Sequence, residues 1–464
     1  MTAGPLAVGF DDVDSTPGAG RLSVTLGPWN RCRPVWTYWF PLLCALFPRS
    51  MRAEPVSLLA SRRTPFVYPV ELRFEADEWC ASTPADQPLA VLPPPVDRMC
   101  DVGRMVVVLS IAHEGRPLFE PDGPDRSDVD RRPTLLDRVA AFGRRYRLPP
   151  ERLWFLSGNL DGDRDVEAWR CARGLTGLPF TFRACEPFSA FVGGCTNQVL
   201  RHRRTPVAAT AFEREGPHAV GWRSTTVDWT PLDFPGVRPG RPVPPPRFRY
   251  ACLNRMFRPH RWEVLNQLWL AGVLDRGLVS FPRPTLEEMR FAGVDAGSAG
   301  ARELLQLLPL TVDRPARFDD AAFFSDNAAF VGLHPPEVLR DCALELVTET
   351  RQEGCRFVSE KTFKALLGRG PAAIVGTRGV LSYLHSLGVR TWPDQVPERY
   401  DDLPDAHLRL TAAVDAALGF VSRTDTDAPG IDEAREANLR WLVSAPKPWD
   451  RLVGELSDAV HGLG

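Results

Sequence analysis

Residues Thr230 to Phe248 read TPLDFPGVRPGRPVPPPRF, with seven prolines between Pro231 and Pro246. Each proline removes an amide donor and fixes φ, so neither a helix nor a central strand can run through the stretch. It reads as an extended, semi-rigid connector. A chain of 464 residues interrupted in this way divides into two folded parts. The expected layout is an N-terminal domain over residues 1–230, of which 1–100 are irregular and proline-rich. A linker over 231–247 follows, then a C-terminal domain over 248–430. Helices over 431–464 are expected to cross back to the N-terminal domain.

Both halves alternate between continuous apolar runs and amphipathic ones. RMVVVLSIA (Arg104 to Ala112), RLWFLSGN and LPFTFRACE read as buried strands, and TLLDRVAAFGRRYR and RDVEAWRCARG between them as helices. Beyond the linker, FRYACLN, CALELVTE, AAIVG and VRTW read as strands. PHRWEVLNQLWLAGVL, EKTFKALLGRG and GVLSYLHSLG read as helices, with two more amphipathic helices at the end. Strands separated by helices build parallel sheets. The fold class is therefore α/β, with two Rossmann-like domains facing a cleft and ligands at the carboxyl ends of the strands.

Composition narrows the function. A formal net charge of −2 supplies no global pull toward nucleic acid or anionic lipid. The ten cysteines form no CxxC pair and no zinc-spaced cluster with histidine, a pattern that suits the reducing cytoplasm. Asp11, Asp12 and Asp14 stand where a signal peptide would be basic. VWTYWFPLLCALF (Val35 to Phe47) is too short to span a bilayer and reads as core, with peripheral membrane or protein contact as its second reading.

Of 56 lysines and arginines only Lys361, Lys364 and Lys447 are lysine. Two of these fall in SEKTFK (Ser359 to Lys364). Ser359 is a good N-cap and Glu360 suits a first turn, but cations oppose the helix dipole there. Two ammoniums beside free helix amides suit an anion, above all a diphosphate. Arg255, Arg258, His260 and Arg261 gather in LNRMFRPHR, after a strand, with Pro259 at the first helical position. Glu349, just past another strand, is placed to accept hydrogen bonds from a ribose. For each group the plainer alternative is a solvated surface.

These residues carry a resemblance. LVTET…FVSEKTFKALLGRGPAAIVGTRGVLSYLHSLGVRTW, together with YACLNRMFRPHR, resembles the C-terminal nucleotide-sugar domain of a group of bacterial and viral glycosyltransferase-like proteins. Its Ser-Glu-Lys element is more distantly similar to that of α1,3-fucosyltransferases and exostosin-type enzymes. The detailed match covers about Tyr250 to Asp401; the N-terminal domain matches only through AHEG and SGNL. FKALLGRGPAAIVG departs from the usual proline-containing FKPI…PFIV.

The resemblance implies a GT-B fold and a nucleotide-sugar donor. Glu349 would take its ribose and Lys361 and Arg255 its diphosphate, with Arg258, Arg261, Ser359, Glu360 and Lys364 around them. Fixed cations can stabilise the leaving diphosphate without a metal or other cofactor. An inverting enzyme also needs a base for the acceptor hydroxyl, and His113 and Glu114, after the RMVVVLSIA strand, are the candidates. The acceptor is expected to be a glycan or another hydroxyl compound.

Two other functions fit the same residues. The acceptor could be a modified base in DNA, with RHRRTP (Arg201 to Pro206) on its phosphates. Alternatively, the chain is a non-catalytic nucleotide- or glycan-binding scaffold. Asp161 and Asp163 form a DxD that could bind a metal, but it reads as a turn entering a helix. FVGGC (Phe191 to Cys195) reads as a turn.

Overall fold

The computed structural model describes residues 22–25, 51–54, 65–72, 89, 92, 97–98, 103–112, 115–119, 133–202, 206–215, 219–228, 245–254, 256–310, 341–423 and 430–463. His113, Glu114, Arg255, most of the linker and the run Val35 to Phe47 lie outside them. The chain forms two compact units: residues 9–194, 206–227 and 446–464 build one, and 195–205 with 228–445 the other.

The first unit contains β1 (Leu22–Thr25), β2 (Met51–Glu54), β3 (Phe66–Glu71), β4 (Met105–Ile111), β5 (Leu153–Ser157) and β6 (Thr181–Ala184). They pair in parallel in the order β2-β1-β3-β4-β5-β6. All seven residues of β4, MVVVLSI, are buried, as a strand covered on both faces requires. Helix α1 (Leu135–Arg145) starts at a capping box between Thr134 and Asp137, and α2 (Gly162–Ala172) follows β5. Asp137 also accepts from Arg173 Nε and Nη2, each at 2.8 Å, and from the Trp169 indole at 3.0 Å, which fixes α1 to α2. The core joins Met105, Val107 and Leu109 to Phe142, Phe155, Trp169, Phe180 and Phe182. Each such side chain contributes about 1.5–3 kcal/mol on burial.

FVGGC lies inside α3 (Phe188–His202), not in a turn. Phe191 and Val192 are fully buried, and their burial outweighs the glycines' weak helix propensity. Strands β7 (Pro206–Glu215) and β8 (Ala219–Asp228), which the sequence pattern did not reveal, pair with each other.

The second unit carries β9 (Tyr250–Leu253), α4 (Pro259–Leu270), β10 (Gly277–Ser280), α5 (Leu286–Phe291), α6 (Ala299–Leu307), β11 (Glu345–Thr348), α7 (Glu360–Ala365), β12 (Ala372–Val375), α8 (Val380–Ser386), α9 (Ala406–Val421) and α10 (Ile431–Ser444). Its four strands are parallel in the order β10-β9-β11-β12. Chain order therefore reverses between β9 and β11, and such a switch point opens a crevice at the strands' carboxyl ends. Arg409 of α9 ties the loops together, donating to Gly376 O at 3.1 Å, Leu403 O at 2.6 Å and Gln352 O at 2.5 Å.

Val389 to Trp392 is not a strand. The Asn438 side chain of α10 accepts from Arg390 N at 2.8 Å and donates to Arg390 O at 2.7 Å, taking both backbone groups a ladder would use. The last helix, α11 (Pro448–His461), returns to the first unit and lies against β1, β3 and β4. There Glu455 accepts from Arg183 at 2.6 Å. No helix among the described residues is long and apolar enough to cross a membrane.

Candidate functional site at the switch point of the second unit

Asn254 directly follows β9 and is 3% exposed. Its amide donates to Ser280 O of β10 at 2.9 Å, and its Oδ1 accepts from Thr348 Oγ1 of β11 at 2.5 Å. One residue, through its backbone and its side chain, therefore braces the carboxyl ends of three strands. An aromatic triad holds the adjoining loop: Phe257, Trp262 and Phe281 stand 6.3–6.4 Å apart between ring centres. Arg258, at the N-cap of α4, is exposed and provides no side-chain cap. Pro259 at the first position has no amide to offer, and the first turn of α4 contains no acidic residue.

Glu349 corrects the sequence expectation. Its carboxylate is 0% exposed and fully engaged inside the protein. Oε1 accepts from Ser359 N at 3.0 Å and Thr362 Oγ1 at 2.5 Å. Oε2 accepts from Ser359 Oγ at 2.6 Å and Thr350 N at 3.1 Å. No lone pair is left for a ribose, and the residue instead pins the start of α7 to the end of β11.

The first turn of α7 is likewise closed. The Ser359 hydroxyl accepts from Lys361 N at 3.4 Å, and the helix is only six residues long. The two lysines part company. Lys361 remains at the rim with its side chain 28% exposed. Its ammonium reaches Thr350 Oγ1 at 3.2 Å, Ser359 Oγ at 3.1 Å and Glu360 Oε1 at 3.5 Å. Lys364 turns inward, 7% exposed, among the carboxyls of Glu360, Glu345 and Glu349, so it is not available to a ligand at the rim. Burial brings its ammonium down to about 8 and pushes the Glu345 carboxyl up to about 8. Burial alone would raise Glu360 too, but Lys361 and Lys364 outweigh it and hold its carboxyl below the usual range.

Between the two loops lie His260 and Arg261. The His260 ring faces Glu349 O at 2.9 Å through Nε2, which must carry the hydrogen, leaving Nδ1 as an acceptor. Burial, with Arg261, Arg258 and Lys361 nearby, lowers the imidazole to about 4, so it is neutral. Arg261 is 5% exposed and donates to Met256 O at 3.1 Å and Glu349 O at 3.3 Å. Its Nε–H is buried with no hydrogen-bond partner among the described residues. Burial, followed by the charge of Arg258, lowers this guanidinium to about 10.

The structure thus brings Arg258, Arg261, Lys361, Glu349, Ser359 and Glu360 together at one crevice, with Lys364 beneath it. Asn254, Thr348, Thr350 and Thr362 belong to the same network and were not identified from the sequence. Their signal was position alone, immediately after strands or inside the Ser-Glu-Lys turn. No group of acidic, cysteine and histidine residues fit for a metal occurs among the described residues. A surface cavity of about 430 Å³ lined by Leu286, Arg290 and residues 293–297 shares none of these side chains.

No protein-family model matches the chain, and no curated protein matches its sequence.

Proposed function

We propose that the chain is a GT-B glycosyltransferase that moves a sugar from a nucleoside-diphosphate donor to a hydroxyl of a glycan. The donor diphosphate lies at the switch point of the second unit, against Lys361, Arg258, Arg261 and the first-turn amides of α4. Arg261 carries this reading. A buried guanidinium N–H without an acceptor is costly, and here it adjoins two further cations and a neutral imidazole. Glu349 is saturated by four other donors and Glu360 lies on Lys361, so among the described residues neither carboxylate meets that N–H, and helix amides with convergent cations suit phosphate.

The same groups serve catalysis. As the glycosidic bond breaks, negative charge grows on the diphosphate, and cations already held in place stabilise it without reorganising. Glu349 and Ser359 do not touch the donor in this scheme; they hold Lys361 and the α7 turn in position.

The test is a thermal-shift and calorimetric screen of UDP, GDP, CMP and dTDP sugars with EDTA present, on wild type and Lys361→Ala. One nucleotide class should stabilise the wild type, with the gain lost in the variant and indifferent to EDTA. Release of free nucleoside diphosphate on adding glycan acceptors then separates an enzyme from a scaffold. Absence of a shift with every nucleotide overturns the assignment.

A further inference from the structure

His260 is a neutral imidazole of this crevice set among cations. Its ring is 9% exposed and fixed in orientation by Nε2–H donating to Glu349 O. The charged groups around it come from four elements. Arg258 and Arg261 belong to its own helix and cap, and Lys361 and Glu360 to α7. Glu349 closes β11, its carboxylate saturated by four donors. Cys252 of β9 stays a neutral thiol, pushed up to about 12 by burial. Burial and three cations, Arg261, Arg258 and Lys361, oppose a proton on the ring. A seated diphosphate reverses that field, because its charges neutralise the same three cations and add an acceptor.

Building on the donor reading above, we propose that His260 takes up a proton when a diphosphate seats at the switch point. Nδ1 turns from acceptor to donor and binds a phosphate oxygen, while Nε2–H keeps its bond to Glu349 O. The proton comes from solvent and no covalent bond changes. His260 is therefore a positioning residue that recognises a bound anion by becoming cationic. Donor affinity should strengthen as pH falls toward 5, because the bound state holds the extra proton.

The experiment is isothermal titration calorimetry of the full chain with UDP, GDP and inorganic pyrophosphate near pH 5.5. Two buffers of different ionisation enthalpy give the proton stoichiometry, for wild type and for His260→Gln. Glutamine keeps an amide donor for Glu349 O but cannot titrate. Protons released by the ligand's own phosphate are common to both proteins and cancel in the difference. Wild type is expected to take up about one more proton per bound ligand than the variant.

Equal stoichiometry overturns the proposal and leaves the donor reading standing; no binding by any of the three probes overturns both. Should the variant not fold, ¹H–¹³C spectra of the wild type report directly on its eight histidines. One imidazole should titrate near 4 without ligand and move up by about two and a half units or more with pyrophosphate, as an uptake of about one proton near pH 5.5 requires. An unmoved midpoint overturns the proposal.

Discussion

Glu349→Gln separates a carboxylate that binds ligand from one that holds the fold. Oε1 faces one backbone N–H, that of Ser359, and Oε2 faces another, that of Thr350. Whichever oxygen becomes an NH₂, a donor then confronts a backbone donor that cannot rotate away. At 0% exposure no solvent fills the gap. One buried N–H left unmet costs roughly 1–3 kcal/mol, and the surviving bonds lose their charge assistance. The total is about 2–4 kcal/mol, or ~5–15 °C in the melting of a domain of this size.

Differential scanning calorimetry, with hydrogen exchange to attribute the loss to the second unit, measures it. The amides of Ser359 and Thr350 should lose protection first. Unchanged stability combined with lost nucleotide binding would refute the reasoning and return Glu349 to a ribose-binding role.

The two lysines of the Ser-Glu-Lys turn should behave differently. Lys364→Met strands buried carboxyls and should cost about 3 kcal/mol or more in denaturant unfolding, while Lys361→Met should cost about 1 kcal/mol and abolish nucleotide binding. Glu345 makes the stability of the second unit pH-dependent. Its carboxyl is raised from 4.5 to about 8, so between those values the folded state holds a proton the unfolded state has lost. Stability is full below about 4.5 and declines as pH rises through about 8; Glu345→Gln should flatten that slope in urea melts from pH 5 to 8.5. Gly370→Ala places a Cβ 1.7 Å from Ala343 O, a backbone atom with no room to yield. Loss of about 3 kcal/mol or of soluble expression is expected, and a normal melt would show that this approach is not obligatory.

The pattern of apolar runs announced the α/β architecture because burial on two faces leaves a mark at every position of a parallel strand. MVVVLSI and AAIV are legible alone. The loops of the crevice were legible for a related reason. LNRMFRPHR and SEKTFK each follow a buried run, and in a parallel sheet such positions share one edge whatever the strand order. The sequence therefore located the cationic groups and their common edge.

It did not show which polar atom each would meet. Whether Glu349 is open to a ligand depends on Ser359 and Thr362, ten and thirteen residues away. The tautomer of His260 depends on a carbonyl 89 residues on, and the loop over Val389 to Trp392 on a side chain 48 residues from Arg390. Periodicity records exposure to water, which is averaged over a whole face. A hydrogen bond is directional and ends within about 3 Å, so its partner is chosen only when tertiary packing brings distant segments to that distance. Tertiary packing turned Lys364 inward, closed the cap of α7 and left Arg261 Nε without an acceptor among the described residues.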